Sequence, residues 1–350
     1  MKKFLSIILS IIITFSLCAT AFMLYFNHYM KNLKVELTKT ETIEKVTVTD
    51  TGIADSVEKI FDAVGTIENY VNGNLRSTGS GFIFKVDDTK GYILTNQHVI
   101  ANASELYFIL TNGEKVKVEV VGSDKYADIA VLSIEKDKVI KVAELGESEV
   151  TRVGDTVFTV GAPVDSDLYS QTVTRGIVSG KDRLVEVSSS NSNVIMEVLQ
   201  TDAAINSGNS GGPLCNSNGE VIGINSLKLA SSSIEGMGFA IPIETALEYA
   251  NAFINGEEIK RPYLGISMYD TNREKGTYVY DVEKDSPSYK AGLKKGDLIT
   301  KINDKEISNS SYLKYELYKY NVGDTIKITY KRDDVENTTD IILSSNWGID

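Results

Sequence analysis

A serine, a histidine and an aspartate stand in three short motifs whose residue types suit nucleophilic catalysis. Ser210 lies in the glycine-rich run Gly-Asn-Ser-Gly-Gly-Pro at positions 208–213. His98 is one of only two histidines, and Asp128 follows it along the chain. A serine hydroxyl attacks a carbonyl once a base takes its proton, histidine titrates near neutrality, and a carboxylate fixes the imidazole tautomer. The three residues together predict an acyl-transfer site.

The small residues around the serine predict how the reaction's negative charge is held. Glycine lets backbone N–H groups come close to a substrate carbonyl oxygen, because it has no side chain and tolerates unusual backbone angles. The N–H groups of Gly208 and Ser210 are therefore expected to form an oxyanion hole, with Asn209 turning the loop between them.

Taken singly, each of these residues has an ordinary structural explanation. The serine run fits a turn, His98 fits a hydrogen-bonded core histidine, and Asp128 fits a loop residue before a buried strand. Their joint occurrence in the order His, Asp, Ser favours catalysis. The other histidine, His28, borders an apolar N-terminal segment and is not expected to take part.

Most of the chain shows the pattern of β-structure. Short alternating apolar runs, such as those at 107–110, 116–121 and 157–160, are separated by Asn-Gly, Gly-Ser and Gly-Asp turns. This pattern is typical of a sandwich or barrel. Two helices are predicted, one over 56–70 from its helical spacing and one over 243–254, which begins after Pro242 and ends at Asn255-Gly256.

The motifs resemble those of the HtrA/Deg family of serine proteases that carry PDZ domains. The similarity lies in Gly-Ser-Gly-Phe-Ile at 79–83, Gly-Tyr-Ile-Leu-Thr-Asn at 91–96 before His98, Ala-Asp-Ile-Ala-Val-Leu at 127–132, Thr-Arg-Gly-Ile-Val-Ser at 174–179, and the segment 200–206 before the serine run. It covers residues 57–346. The resemblance implies a mostly-β, chymotrypsin-like protease domain over 57–256, made of two six-stranded barrels with the triad in the cleft between them. It also implies a homotrimer.

The last hundred residues resemble one PDZ domain, over 257–346. The resemblance is carried by Tyr-Leu-Gly-Ile at 263–266 and Lys-Ala-Gly-Leu-Lys-Lys-Gly-Asp at 290–297. In that fold a peptide adds as a strand and its terminal carboxylate rests on loop N–H groups. Leu264, Gly265 and Ile266 are the corresponding peptide-binding residues here. The alternative is that Gly265 only begins a strand.

The N-terminus indicates where the protein resides. Residues 4–26 contain no charged side chain, and a helix of this length spans a hydrocarbon core of about 30 Å. We therefore expect a cytoplasmic tip and transmembrane anchor over 1–27, a linker over 28–56, and extracytoplasmic catalytic and PDZ domains. A signal peptide cleaved after Ala19-Thr20-Ala21 is the alternative.

Composition excludes several classes of function. A net charge of −12 argues against nucleic acid as a partner. Cys18 and Cys215 are the only cysteines, and because Cys18 lies in the predicted anchor, no disulfide is expected. One usable histidine and one usable cysteine offer no zinc-ligand spacing. Neither a metal nor a cofactor is expected.

These features predict an envelope serine endopeptidase that cleaves misfolded or damaged exported proteins and binds peptide C-termini at its PDZ domain. Residues 204–206 are expected to line the primary pocket and to favour small aliphatic side chains before the cut, while Asp202 serves loop structure. Two alternatives stay open: a regulatory protease dedicated to one membrane substrate, and a peptide-binding sensor or chaperone with little protease activity.

Overall fold

The computed structural model describes residues 13–30, 51–161, 171–189, 192–226 and 236–345. The chain divides into two units, Met1–Asp50 and Thr51–Asp350. In the first unit, residues 13–30 form a helix with exposed side chains, which includes His28. Within the described residues, none of the helices combines the length and the apolar character that crossing a membrane requires. The predicted span over 4–26 begins outside those residues.

After an initial helix, the larger unit contains a seven-stranded antiparallel sheet in the order β5-β4-β1-β2-β3-β7-β6. Its strands are β1 Val64–Val71, β2 Asn74–Val86, β3 Lys90–Thr95, β4 Glu105–Ile109, β5 Lys115–Lys117, β6 Glu119–Asp124 and β7 Ile129–Glu135. The two edge strands, β5 and β6, are separated only by Val118, whose N–H donates to Leu106 O at 3.1 Å. For this first half, the predicted count of six strands is wrong. The structure has seven strands because a break at Val118 divides one strand into β5 and β6.

The helix predicted over 56–70 is wrong in its second half. Helix α1 covers Thr51–Phe61, and β1 follows from Val64. The first six residues of β1 are buried on both faces, so its apolar residues do not alternate and mimic helical spacing. Gly65 reflects this crowding, since a Cβ there would lie 2.5 Å from Ile109 O.

Helix α1 reaches the second half of the predicted protease domain, which follows the seven-stranded sheet. Ser56 Oγ donates to Ser217 O at 2.6 Å, and Lys59 Nζ donates to Asn218 O at 3.2 Å. Ile60 is fully buried in a core cluster that includes strands of both halves. The helix therefore joins the two halves before the first strand begins.

A closed barrel of six strands follows, in the order β10-β13-β12-β11-β8-β9. Its strands are β8 Thr156–Gly161, β9 Thr172–Ser189, β10 Ser192–Thr201, β11 Pro213–Asn216, β12 Val221–Asn225 and β13 Gly238–Pro242. Helix α2, Ile243–Ile254, packs against the first sheet and the barrel. Its predicted start after Pro242 and its end at Asn255 are confirmed.

The C-terminal module has its own core and a six-stranded sheet. The strands are β14 Pro262–Tyr263, β15 Ile266–Tyr269, β16 Thr277–Val282, β17 Leu298–Ile302, β18 Lys305–Glu306, β19 Thr325–Arg332, β20 Val335–Ile342 and β21 Ser344–Ser345, of which β14 and β21 pair apart from the sheet. The helices are α3 Pro287–Lys290 and α4 Ser310–Leu317. Apolar side chains of α4, Leu313 and Leu317, fill the core beneath the sheet.

Helix α4 also contacts the barrel, on its β9–β10 hairpin. Ser311 Oγ donates to Glu186 Oε1 at 2.7 Å, and Tyr315 OH donates to Glu197 Oε2 at 2.9 Å. Ser311 and Tyr315 are four residues apart and share one face of the helix. The C-terminal module is therefore held to the barrel by polar contacts along that face.

Candidate active site

Strand pairing brings the predicted histidine and aspartate to the same place. β3 and β7 are antiparallel neighbours, with Thr95 opposite Ala130. His98 lies in a short 3₁₀ turn just after β3, and Asp128 lies just before β7. In an antiparallel pair, the end of one strand lies next to the start of the other, so the residue after β3 and the residue before β7 come together.

The carboxylate of Asp128 holds His98 by both its ring and its backbone. Nδ1 of His98 lies 2.9 Å from each carboxylate oxygen, and the His98 N–H donates to Oδ1 at 3.1 Å. Asp128 is fully buried, whereas the imidazole is 30% exposed. An imidazole engaged at Nδ1 and open on one side leaves Nε2 available as a proton acceptor.

Asp128 adopts an uncommon backbone conformation, with φ of +55°. Aspartate and asparagine tolerate this left-handed region better than most residues. The Asp128 carbonyl accepts from Gln97 N–H at 3.2 Å and from Asn96 Nδ2 at 3.1 Å. The same residue thus fixes the turn before His98 by its backbone and the imidazole by its side chain.

The loop of Ser210 is held between the two halves of the protease region. Ser210 O accepts from the N–H of Ser80, in β2, at 2.8 Å. The N–H of Gly211 donates to Asn225 O, in β12, at 2.9 Å. Gly211 has φ of +83°, and a Cβ there would overlap Ser80 O and lie 3.1 Å from Asn96 N. The serine loop therefore lies beside the segment that carries His98.

The residues before the serine form a tight turn. Asn209 N–H donates to Asn206 O at 3.0 Å, and Gly208 has φ of +102°. A positive φ at the third residue matches a type II turn, in which the central peptide plane is flipped relative to a type I turn. The N–H of Asn209 is used within the turn, and its side chain donates to Ala204 O at 3.1 Å. Of the three residues predicted for the oxyanion hole, Asn209 holds the turn, which leaves Gly208 and Ser210 as candidate donors.

Ser226 belongs to the site and was not found by sequence reasoning. Its Oγ donates to Asp128 Oδ2 at 2.9 Å, and Ser226 is fully buried. It lies directly after β12, 98 residues along the chain from Asp128. A serine after a buried strand carries no sequence signal that separates it from an ordinary strand end. Its hydroxyl gives Asp128 a further donor that stabilises the carboxylate.

The segment predicted to line the primary pocket makes an apolar contact with the barrel at Ile205, here called the apolar wall. A Cβ on Gly238, at the start of β13, would lie 2.5 Å from Cγ1 of Ile205. The acid nearest in sequence, Asp202, accepts from Ile177 N–H at 2.7 Å and so serves the backbone between β9 and β10. This wall supplies no carboxylate to attract a cationic side chain.

Cys215 is not a competing nucleophile. That residue is fully buried in β11, and burial raises the pKa of its thiol. A thiol that stays protonated is inert as a nucleophile. Within residues 13–30 and the described parts of 51–345, no group of three or more His, Cys, Asp or Glu side chains is arranged to hold a metal ion.

Of the predicted peptide-binding residues, Leu264 and Gly265 form the connection from β14 to β15, and Ile266 begins β15. Gly265 has φ of +73°, and a Cβ there would overlap Ser286. Leu264 O accepts from Ser288 N–H at 3.0 Å, and Gly265 O accepts from Glu283 N–H at 2.9 Å. Both carbonyls are therefore used within the module, and Gly265 is required by backbone angle and by space.

Comparisons with known proteins agree with this geometry. Residues 79–224 match the trypsin-like peptidase domain model and residues 262–343 match the PDZ domain model. Serine protease Do-like HtrA of Bacillus subtilis (strain 168) is 44% identical over 284 residues, which are 76% of this chain and 63% of that relative. The protein of the same name from Lactococcus lactis subsp. lactis (strain IL1403) is 37% identical over 342 residues, 85% of this chain and 84% of the relative.

The solved structure of the HtrA-type protease AlgW with a decapeptide has a similar fold. It superposes with a TM-score of 0.67 at 28% identity, over 85% of this chain and 99% of that chain. The paired His98 and Asp128, the serine loop beside them, and the two matching domain models lead to one assignment. The chain belongs to the HtrA family of serine endopeptidases, with a trypsin-like peptidase domain followed by a PDZ domain.

Proposed function

We propose that the protein is an endopeptidase of the cell envelope in which Ser210 is the nucleophile, His98 the base and Asp128 the residue that orients the base. The observation that carries this proposal is the His98–Asp128 pair, at 2.9 Å, beside a serine loop anchored to both halves of the protease region. A base oriented by a buried carboxylate, next to a serine in a glycine-rich turn, is the arrangement that peptide hydrolysis requires.

Catalysis then proceeds in two steps, acylation of Ser210 and hydrolysis of the acyl-enzyme. His98 Nε2 takes the proton of Ser210 as Oγ bonds to the substrate carbonyl carbon, and the N–H groups of Gly208 and Ser210 stabilise the oxyanion. The C–N bond breaks as His98 returns that proton to the leaving amine, which leaves an acyl-enzyme. Water, deprotonated by His98, attacks the ester carbon, and the proton passes to Ser210 as the acid product leaves.

The proposed substrates are unfolded segments of exported proteins, cut after small aliphatic residues. The apolar wall at Ile205 and Gly238, and the engagement of Asp202 by the backbone, support this preference. We expect the full chain to digest unfolded casein, with most cuts after Val, Ala or Ile, as read by mass spectrometry of the fragments. A natively folded protein of similar size is the control and should persist. Cuts mainly after Lys or Arg would contradict the pocket, and intact casein would favour a sensor or chaperone.

The proposed role of the PDZ domain is to bind peptide C-termini through Leu264, Gly265 and Ile266. We expect Gly265→Ala to weaken binding of a hydrophobic C-terminal peptide more than about tenfold, since the new Cβ displaces the loop by its overlap with Ser286. Fluorescence anisotropy of a labelled peptide measures this loss.

A matched control for that change is Gly292→Ala. Gly292 also has a positive φ, of +81°, but a Cβ there would meet nothing within 4 Å. This variant carries the backbone strain without the overlap and should bind peptide about as well as the parent. Equal binding by all three proteins would place the peptide site elsewhere in the module.

The proposed location is the outer face of the membrane, with residues 4–26 as anchor, and the proposed assembly is a homotrimer formed through the protease domains. The location rests on the uncharged run of 23 residues from position 4 to position 26, and the assembly on family membership. Carbonate extraction of membranes tests the anchor, and sedimentation of the detergent-solubilised protein tests the trimer. Release into the supernatant, or a monomer mass, would refute the respective proposal.

A further inference from the structure

Arg261 lies in the connection between helix α2 and strand β14, where its guanidinium is largely buried. Nη2 lies 2.7 Å from Asp124 Oδ2, and the two side chains are 18% and 8% exposed. Removing two charges from water costs several kcal/mol per ion unless geometry and further hydrogen bonds compensate. Neighbouring groups must therefore compensate the cost of burying this ion pair.

Three tyrosine rings supply those surroundings, and each comes from a different part of the molecule. Cζ of Arg261 lies 4.9 Å from the ring centre of Tyr126, 5.5 Å from that of Tyr318 and 6.0 Å from that of Tyr249. Tyr126 belongs to the β6–β7 turn, Tyr249 to helix α2 and Tyr318 to the end of helix α4 in the PDZ domain. Arginine over aromatic faces gains cation–π attraction that grows as the site is desolvated.

The rings of Tyr126 and Tyr318 also contact each other directly. They meet edge to face, with centroids 6.1 Å apart. Burial raises the pKa of Tyr318 to about 12, so this phenol is neutral at physiological pH. The PDZ domain thereby contributes one wall of the site that holds Arg261.

The partner of Arg261 also shapes the turn that leads to the catalytic aspartate. Asp124 Oδ1 accepts from the N–H of Tyr126 at 2.9 Å and from that of Ala127 at 2.7 Å. These bonds fix residues 124–127, and Asp128 follows immediately with φ of +55°. One carboxylate oxygen thus binds Arg261 while the other sets the backbone that presents Asp128 to His98.

We propose that Arg261 is a positioning residue for Asp128. Its ion pair with Asp124 keeps the 124–127 turn in the conformation that directs the Asp128 carboxylate at His98. Because Tyr318 packs on Arg261, this positioning depends on contact with the PDZ domain. The inference rests on the proposed role of Asp128 in catalysis. This role differs from that of a purely structural contact between domains, which would not change catalysis through Asp128.

The test is a double-mutant cycle between Arg261→Met and Asp128→Asn, with a short chromogenic peptide that is too small to reach the PDZ domain. We expect Arg261→Met to lower kcat roughly 10- to 100-fold with KM nearly unchanged, since a displacement of about 1 Å costs about a hundredfold. In the Asp128→Asn background the same change should cost less than about twofold, because no catalytic carboxylate is left to position.

Two further variants separate positioning from folding. Arg261→Lys restores the charge without the planar stack and should recover part of kcat. Tyr315→Phe, which removes the PDZ contact to Glu197 but does not touch Asp124, should leave kcat within about twofold. Thermal melting shows whether each variant is folded.

The double-mutant cycle distinguishes a failure of the positioning role of Arg261 from a failure of the proposed role of Asp128. Equal losses from Arg261→Met in both backgrounds would overturn the positioning role, because independent effects multiply. A normal kcat for Arg261→Met in a folded protein would overturn it as well. Full activity of Asp128→Asn alone would instead refute the proposed triad.

Discussion

Replacing Ser210 with alanine should leave a folded protein without measurable proteolysis. The proposed nucleophile is lost, and removing the serine or the base of such a triad costs about a millionfold in turnover. Ser210 is buried, but the change deletes a single oxygen. The backbone bond from Ser80 N–H to Ser210 O does not depend on the side chain. The measurement is casein digestion beside the parent enzyme.

The control for this variant is structural. Its thermal melting curve should match the parent's within a few degrees, since the loop contacts at Gly211 and Gly212 are backbone contacts. Ser207→Ala changes a neighbouring serine in the same loop and should retain activity. Casein digestion by Ser210→Ala at even a tenth of the parent rate would show that another group is the nucleophile.

Replacing Asp128 with asparagine should lower kcat about 10⁴-fold, the cost of losing the carboxylate from a Ser-His-Asp triad. Asp128 accepts from the His98 ring, the His98 N–H and Ser226 Oγ. Asparagine has one oxygen for these donors, and its NH₂ group facing Nδ1 would select the wrong imidazole tautomer. Asparagine tolerates φ of +55°, so the turn should fold. Steady-state hydrolysis of the short chromogenic peptide measures the loss.

Ser226→Ala is the matched comparison for that change. It removes one donor to Asp128 Oδ2 and keeps the carboxylate, so its cost should stay below about tenfold, the range of one hydrogen bond. A loss as large as that of Asp128→Asn would mean that Ser226 has a larger role than supporting the carboxylate. An Asp128→Asn enzyme within tenfold of the parent would remove Asp128 from the mechanism.

The candidate site residues could be proposed from sequence because their signal is local. His98, Asp128 and Ser210 each lie in a short segment whose neighbours are constrained, such as Gly211, where backbone angle and space both demand glycine. Helix α2 was predicted correctly because proline and Asn-Gly mark its two ends. The structure brings His98 and Asp128 together where β3 ends and β7 begins, and it places the Ser210 loop beside the segment that carries His98.

Features that depend on distant pairing were beyond the sequence patterns. Strand β1 was assigned to a helix because side chains on both of its faces are packed in core clusters, Val64 in one and Ile67 in another, which removes the alternation of a surface strand. Ser226 and Arg261 carry no local motif. Each acquires its role from an aspartate more than ninety residues away, and one sequence holds no signal for such a contact.

The docking of helix α1 on the second barrel sets the order in which the protein can be completed. Ser56 lies 161 residues before its partner Ser217. At 5–20 residues per second a ribosome needs roughly 8 to 30 s to make the intervening chain. Ile60, fully buried in the finished molecule, lacks the barrel strands of its core cluster until they are synthesised. The nascent chain is therefore expected to expose the apolar face of helix α1 during synthesis, and to benefit from a chaperone until the last barrel strand is made.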